Sequence, residues 1–109
     1  MSNINYITSI VKVLETPNKI LFNNTIPVTR FRVQLPQNRN TQIVNLIFWG
    51  NLAESTFNYY NINDYIIIEG YLSSKNILTS ARKNLKKIEI TVFKIYPFLL
   101  DSNRNISSK

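Results

Sequence analysis

The sequence predicts an all-β fold: a small barrel of five strands, with one short helix between the third and the fourth. Three observations carry this expectation. Short apolar runs recur along the chain and are bounded by turn-prone Asn, Pro and Asp residues, as strands are. Several runs alternate apolar and polar side chains with the two-residue period that puts neighbours on opposite faces of a sheet. The segment after Gly50 breaks that alternation and has helical spacing instead. The length of 109 residues suits one domain, and 44% apolar content against 17% charged supplies a modest core. With only two Gly in the chain, the turns must rely on Asn, which tolerates left-handed backbone better than most residues.

The first strand is Tyr6 to Leu14, closed by Glu15-Thr16-Pro17-Asn18. Residues 19–26 read as an extended arm with a turn at Asn23-Asn24. The second strand, Val28 to Leu35, sets Phe31, Val33 and Leu35 on one face and Arg30, Arg32 and Gln34 on the other. Pro36 to Asn40 reads as a tight polar hairpin connection. The third strand, Ile43 to Trp49, is apolar on both faces and is therefore expected to be central. The helix spans Asn51 to Tyr60, with Asn51 as its expected cap and Leu52 and either Phe57 or Tyr60 as buried anchors. Asn63 is the expected left-handed residue that ends it. The fourth strand is Tyr65 to Leu72 and the fifth Ile88 to Tyr96, joined by a basic stretch holding Lys75, Arg82, Lys83, Lys86 and Lys87. Phe31, Phe48 and Phe57 fall on the inward pattern and read as core. The domain is taken as residues 1–99, with a polar tail over 100–109. Three strands, a helix and two strands is the element order of the OB-fold, a Greek-key barrel that often binds oligonucleotides.

Thirteen Lys and Arg against six Asp and Glu give a formal charge of +7, which favours a polyanionic partner. The chain has no basic amphipathic helix and no apolar run long enough to cross a bilayer, so no membrane partner is expected. His and Cys are absent, which removes the commonest general base, the commonest metal ligand and the best nucleophile. The six acids, Glu15, Glu54, Asp64, Glu69, Glu89 and Asp101, are scattered singly, and no Gly-rich phosphate loop occurs. The expectation is a protein that is not an enzyme and uses neither metal nor cofactor.

The stretch Val44 to Glu54, VNLIFWGNLAE, followed by Asn58 to Leu72, NYYNINDYIIIEGYL, resembles the bacterial and organellar single-stranded-DNA-binding protein family. Trp49, Gly50, Leu52, Ala53, Glu54, Tyr59, Asp64, Ile68, Glu69, Gly70 and Leu72 match its pattern without a gap. Weaker echoes at Asn5, Pro17, Val28, Phe31, Val33 and Ile95 to Leu99 extend the resemblance over residues 5–99. Asn63 replaces a Gly of that pattern, Thr25 stands where the family often has Gly, and Ile43 and Ile77 lie near places where some members carry aromatics. The acidic C-terminal tip of bacterial members is missing from the ending Asp101 to Lys109, so partner recruitment through such a tip is not carried over. The resemblance implies an OB-fold that binds and protects single-stranded DNA in replication, recombination or repair. It also implies a homo-oligomer, with a tetramer favoured over a dimer. Sixteen Asn and sixteen Ile point to an AT-rich genome. With the family, they imply a plastid or similar organelle, the cytoplasm of an AT-rich bacterium being the alternative.

Binding single strands without regard to sequence requires cations for phosphates and aromatic faces for bases. Ile43, Asn45, Ile47 and Trp49 share one face of the third strand, and the resemblance implies that this face holds nucleic acid with Trp49 stacked on a base. Tyr71, outward on the fourth strand, is the candidate second platform. Arg30 and Arg32 face outward on the second strand and are candidate phosphate partners. Lys75, Arg82, Lys83, Lys86 and Lys87 lie on or beside the hairpin that the family wraps around DNA. Glu54, Glu69 and Gly70 read as structural: a helix-surface residue, a strand-edge residue and a point of tight packing. RNA remains open as a ligand, because stacking does not distinguish the 2′-hydroxyl. The competing reading is an OB-fold interaction subunit whose main partner is protein, with Trp49 buried against it.

Overall fold

The computed structural model describes residues 5–36, 41–78 and 84–101, with side chains described at all of these positions except 75–78 and 84–86. Its elements are β1 (Tyr6–Val13), β2 (Asn18–Phe22), β3 (Ile26–Leu35), β4 (Gln42–Trp49), α1 (Asn51–Tyr59), β5 (Tyr65–Leu78) and β6 (Asn84–Leu99). All five expected strands are present, and the last two run longer than expected. The arm over residues 19–26 supplies a sixth, β2, which pairs antiparallel with the first half of β3. Asn23 and Asn24 make the turn between them with φ of 53° and 61°, and the Thr25 N–H donates to the Phe22 carbonyl at 3.1 Å. Two successive positive φ values match the right-handed twist of the flanking strands, so this Asn pair fills a role often left to Gly.

The sheet order is β1-β5-β6-β4-β3-β2, with a further pairing of β1 to β3. That last pairing, Lys12 with Gln34 and Val13 with Val33, closes a circuit of β1, β5, β6, β4 and β3, leaving β2 outside it. Every pair is antiparallel except β4 with β6. This is the OB-fold order, with α1 between β4 and β5. The inward faces carry the core: Val11, Val13, Phe31, Val33, Val44, Leu46, Phe48, Ile66, Ile68, Ile90 and Val92 are all buried in one cluster. Phe31 and Phe48 stack within it at 5.3 Å between ring centres, as their inward positions required.

Two expectations about the helix are corrected. Asn51 does not cap it: Gly50 occupies the cap position at φ 68°, and no side chain caps the end. Gly50 takes that left-handed backbone without a Cβ clash. Its N–H donates to the Pro27 carbonyl at 2.8 Å and its own carbonyl accepts from Ala53 and Glu54. Phe57 is not core. The helix turns Ala53 and Thr56 inward, and Tyr60 beyond its end joins the core cluster. Phe57 lies one step round from Thr56 and is 36% exposed, with the Lys19 Nζ 5.0 Å from its ring centre. Of the two alternative anchors, Tyr60 is the buried one.

After the helix, Asn63 adopts φ 74° as expected. The fully buried Asp64 ties three parts of the chain together. Its Oδ2 accepts the Asn61 N–H at 2.8 Å and its Oδ1 the Asp101 N–H at 2.7 Å. Its carbonyl accepts the Val13 N–H at 2.8 Å.

Glu69 is not at a strand edge, because β5 is paired on both sides, with Thr8 of β1 and Lys94 of β6 opposite it. The neighbouring Gly70 is the tight contact the sequence implied. A Cβ there would overlap the Thr91 carbonyl oxygen and come within 2.8 Å of the Ile90 Cγ2. Both neighbours are held by strand pairing, so neither can retreat cheaply. Gly70→Ala is therefore expected to cost ~1–3 kcal/mol of stability through overpacking, to be read from the midpoint of chemical unfolding.

Candidate nucleic-acid interface

Strand pairing lines up the outer face of the sheet residue by residue. Asn18 of β2, Arg30 of β3, Ile47 of β4, Thr91 of β6, Tyr71 of β5 and Tyr6 of β1 are successive partners across six strands. One step along, Ile20, Val28 and Trp49 are partners. The expected alternation on β4 holds: Val44, Leu46 and Phe48 are fully buried, whereas Ile43 and Trp49 are exposed on the opposite face. Val28 and Ile47 are buried too, at 3% and 6% exposure, yet neither belongs to the core cluster. The outer face therefore has an apolar floor of its own.

Trp49 is 44% exposed. Phe22, at the end of β2, meets it edge-on, with ring centres 5.5 Å apart and planes at 78°. Sequence patterning does not single out Phe22, because the segment that carries it reads as an arm. Across β6, Tyr71 is 49% exposed and sits in a second aromatic group. Its ring centre lies 5.1 Å from that of Phe93 and 6.2 Å from that of Tyr6, and Tyr6 lies 5.8 Å from Phe93. The Tyr6 hydroxyl donates to the Glu69 Oε1 at 2.7 Å.

The candidate cations divide. Arg30 is exposed beside Ile47 and has no acid partner among the described residues. Arg32 is engaged: its Nε and Nη2 both lie 3.1 Å from the Glu15 Oε1, and its N–H donates to the Glu15 Oε2 at 2.8 Å. Lys87 pairs with the largely buried Glu89 at 3.4 Å. Lys75 and Lys86 occupy adjoining rungs of the β5–β6 hairpin, Lys75 facing Lys87 and Lys86 facing Asn76, but their side chains fall outside the described set. Arg82 and Lys83 lie outside the described residues altogether, as do the connection from Gln37 to Asn40 and the tail beyond Asp101. Lys94, which sequence patterning does not single out either, is exposed on β6 next to Phe93. Among the described residues there is no group of acids that could hold a metal and no helix long and apolar enough to cross a membrane.

The chain is 43% identical to the ycf41 protein of Trieres chinensis, named as a putative single-stranded DNA-binding protein, over 90% of this chain and 92% of that one. It is 32% identical to the thylakoid-associated single-stranded DNA-binding protein slr1034 of Synechocystis, over 77% of this chain and 66% of the other. Among solved structures, a small single-stranded DNA-binding protein from Streptomyces coelicolor has the same fold, with a TM-score of 0.78 at 19% identity over 90% of this chain and 97% of its own. No protein-family model matches the chain. With Trp49 the single Trp, its emission is expected to be quenched readily by acrylamide in the protein alone, whereas protected, blue-shifted emission would put the ring in a subunit contact.

Proposed function

The chain is a member of the single-stranded DNA-binding protein family, and on that premise we propose that it binds single-stranded DNA across the outer face of its closed sheet. The observation that carries the reading is the exposed Trp49 ring standing over an apolar floor, with Arg30 two positions along β3 from Trp49's partner Val28. Stacking on an aromatic holds any base, because every base has a π-face, and contributes ~1–3 kcal/mol per base. Arg30 supplies a cation for the adjacent phosphate, and Tyr71 offers a second ring on the far side of β6. Lys75, Arg82, Lys83 and Lys86 add phosphate contacts along the β5–β6 hairpin, whereas Arg32 and Lys87 contribute less because Glu15 and Glu89 hold them. The task is binding and protection of exposed strands in replication, recombination or repair, with no bond made or broken. Relatives named for single-stranded DNA support this over a protein-docking subunit.

The domain comprises residues 1–99, and it works as a homo-oligomer, with a tetramer favoured. Ile10, Tyr65, Phe98 and Leu99 are exposed apolar side chains, which a second copy would cover. The setting is a plastid, with a bacterial cytoplasm as the alternative; a ycf41-named relative and a thylakoid-associated one from Synechocystis support a plastid or cyanobacterial origin.

Titration with oligo(dT) across a salt series tests the binding mode. Trp49 emission should be strongly quenched, and log affinity should fall with log salt at a slope near −3 if ~4 cations meet phosphates. Trp49→Ala, which has no Trp left to report and is read by mobility shift, should bind about tenfold to a hundredfold more weakly. Negligible quenching with no mobility shift at low salt would overturn the reading.

A further inference from the structure

We propose that Phe22 touches the bound strand itself, forming with Trp49 a two-walled apolar corner that holds one nucleobase. This rests on the reading of the Trp49 face as a single-strand interface, and it extends that interface from β4 across β3 onto β2.

Strand register brings the two rings together. Phe22 is opposite Ile26, Ile20 is opposite Val28, and Val28 is opposite Trp49. Opposed residues of antiparallel strands share a face, so these five side chains lie on one outer patch. The backbones of β2 and β4 are two strand spacings apart, ~10 Å, yet the ring centres of Phe22 and Trp49 are only 5.5 Å apart. Both rings therefore lean in over β3. Val28, between them, is 3% exposed and outside the core cluster, so outer-face side chains are what cover it. Phe22 is held by backbone as well: it ends β2 at the Asn23-Asn24 turn, and its carbonyl accepts the Thr25 N–H at 3.1 Å.

Neither the core nor closure of the sheet accounts for this arrangement. β2 lies outside the closed circuit and contributes no buried side chain. What it delivers to the outer face is Ile20 and Phe22. Those two, with Ile26 and Trp49, stay 41–50% exposed, a contiguous apolar patch of the kind that marks a binding surface.

The ligand class follows from ring geometry and charge. The planes of Phe22 and Trp49 meet at 78°, so a flat ligand laid on one ring presents its edge to the other. Both contacts are favourable aromatic arrangements. Arg30 stands two positions along β3 from Val28, ~7 Å away, within reach of a phosphate attached to that ligand. The patch and Arg30 together carry one positive charge and no negative one. A flat ring joined to an anion is a nucleotide of the bound strand.

The test is a double-mutant cycle that removes each ring, read by mobility shift with (dT)15. Low salt keeps the weaker variants measurable, and sedimentation gives each protein's mass. Phe22→Leu keeps Val28 covered but has no ring, and it should bind about fivefold more weakly than the parent. Made in the Trp49→Ala background, it should still weaken binding about threefold, because Phe22 meets the base directly. Phe22→Tyr, which keeps the ring, should bind like the parent, and all masses should be equal. A loss that vanishes once Trp49 is gone would overturn the proposal, since Phe22 would then only position Trp49. Parent-like binding by Phe22→Leu would overturn it while leaving Trp49 binding intact. A change of mass would overturn it too, because the patch would then be a contact between copies. A parent protein that does not bind (dT)15 would overturn the DNA-binding reading itself.

Discussion

The close approach of β5 to β6 at Gly70 governs the geometry of the whole outer face. Without a Cβ at that position, the β6 backbone at Thr91 can lie where a side chain would otherwise stand. Thr91 in turn pairs with Tyr71 on one side and Ile47 on the other. That single residue therefore aligns an antiparallel neighbour with a parallel one, and the parallel pairing of β4 with β6 is what completes the circuit begun at β1 and β3. A bulge in β6 begins at the same point, where Gly70 pairs with Val92 and Glu69 with Lys94. The register of the outer face and the parallel pairing that closes the sheet thus meet at one residue.

A closed sheet has an inside that must be apolar and an outside that need not be. Here the outside is apolar as well along part of its width, since Val28 and Ile47 are buried apart from the core cluster. Phe22 and Trp49, meeting edge-on, stand next to them. Trp49 keeps 44% of its surface exposed despite that partner, which suits it to receive one flat ligand. Electrostatics sharpen the same region by subtraction. Lys19 is paired with Glu54 at 3.1 Å, Arg32 with Glu15 and Lys87 with Glu89. The first two, partly exposed, contribute little to stability, whereas Glu89 of the third is largely buried. Their main effect is to quiet cations elsewhere, so that among the described residues Arg30 and Lys94 stand without an acid partner beside the two aromatic groups.

Much of this was legible in the sequence wherever one periodicity ran unbroken. Phe31 and Val33 against Arg30 and Arg32 announced their faces by alternation alone, whereas β4 is apolar on both faces and its outward side, with Ile43 and Trp49, came from the resemblance. Asn63 announced its backbone because few other residues accept a positive φ. The failures have equally specific causes. Asn18 to Phe22 lacks a buried face, being exposed or half-buried throughout, so no hydrophobic alternation marked it as a strand. Phe57 is a large aromatic at an apparently inward spacing, but small side chains at Ala53 and Thr56 bring α1 down onto the sheet and turn Phe57 outward beside Lys19. Lys94 was hidden because a bulge after Val92 shifts the two-residue period by one, and composition does not mark that shift. Gly50 rather than Asn51 caps the helix because the chain turns there through backbone that favours glycine.

The position of β2 carries a cost that the closed strands escape. It pairs with β3 alone, so its other side offers a row of unsatisfied backbone groups next to the exposed apolar side chains of Ile20, Leu21 and Phe22. An edge of that kind is a template on which a foreign strand can grow, and proteins commonly restrain it by keeping the edge short and charged. Five residues, opened by the buried Pro17 and interrupted by Lys19, meet that description. The chain thus keeps Phe22 beside Trp49 while giving self-association through main-chain pairing only a brief foothold.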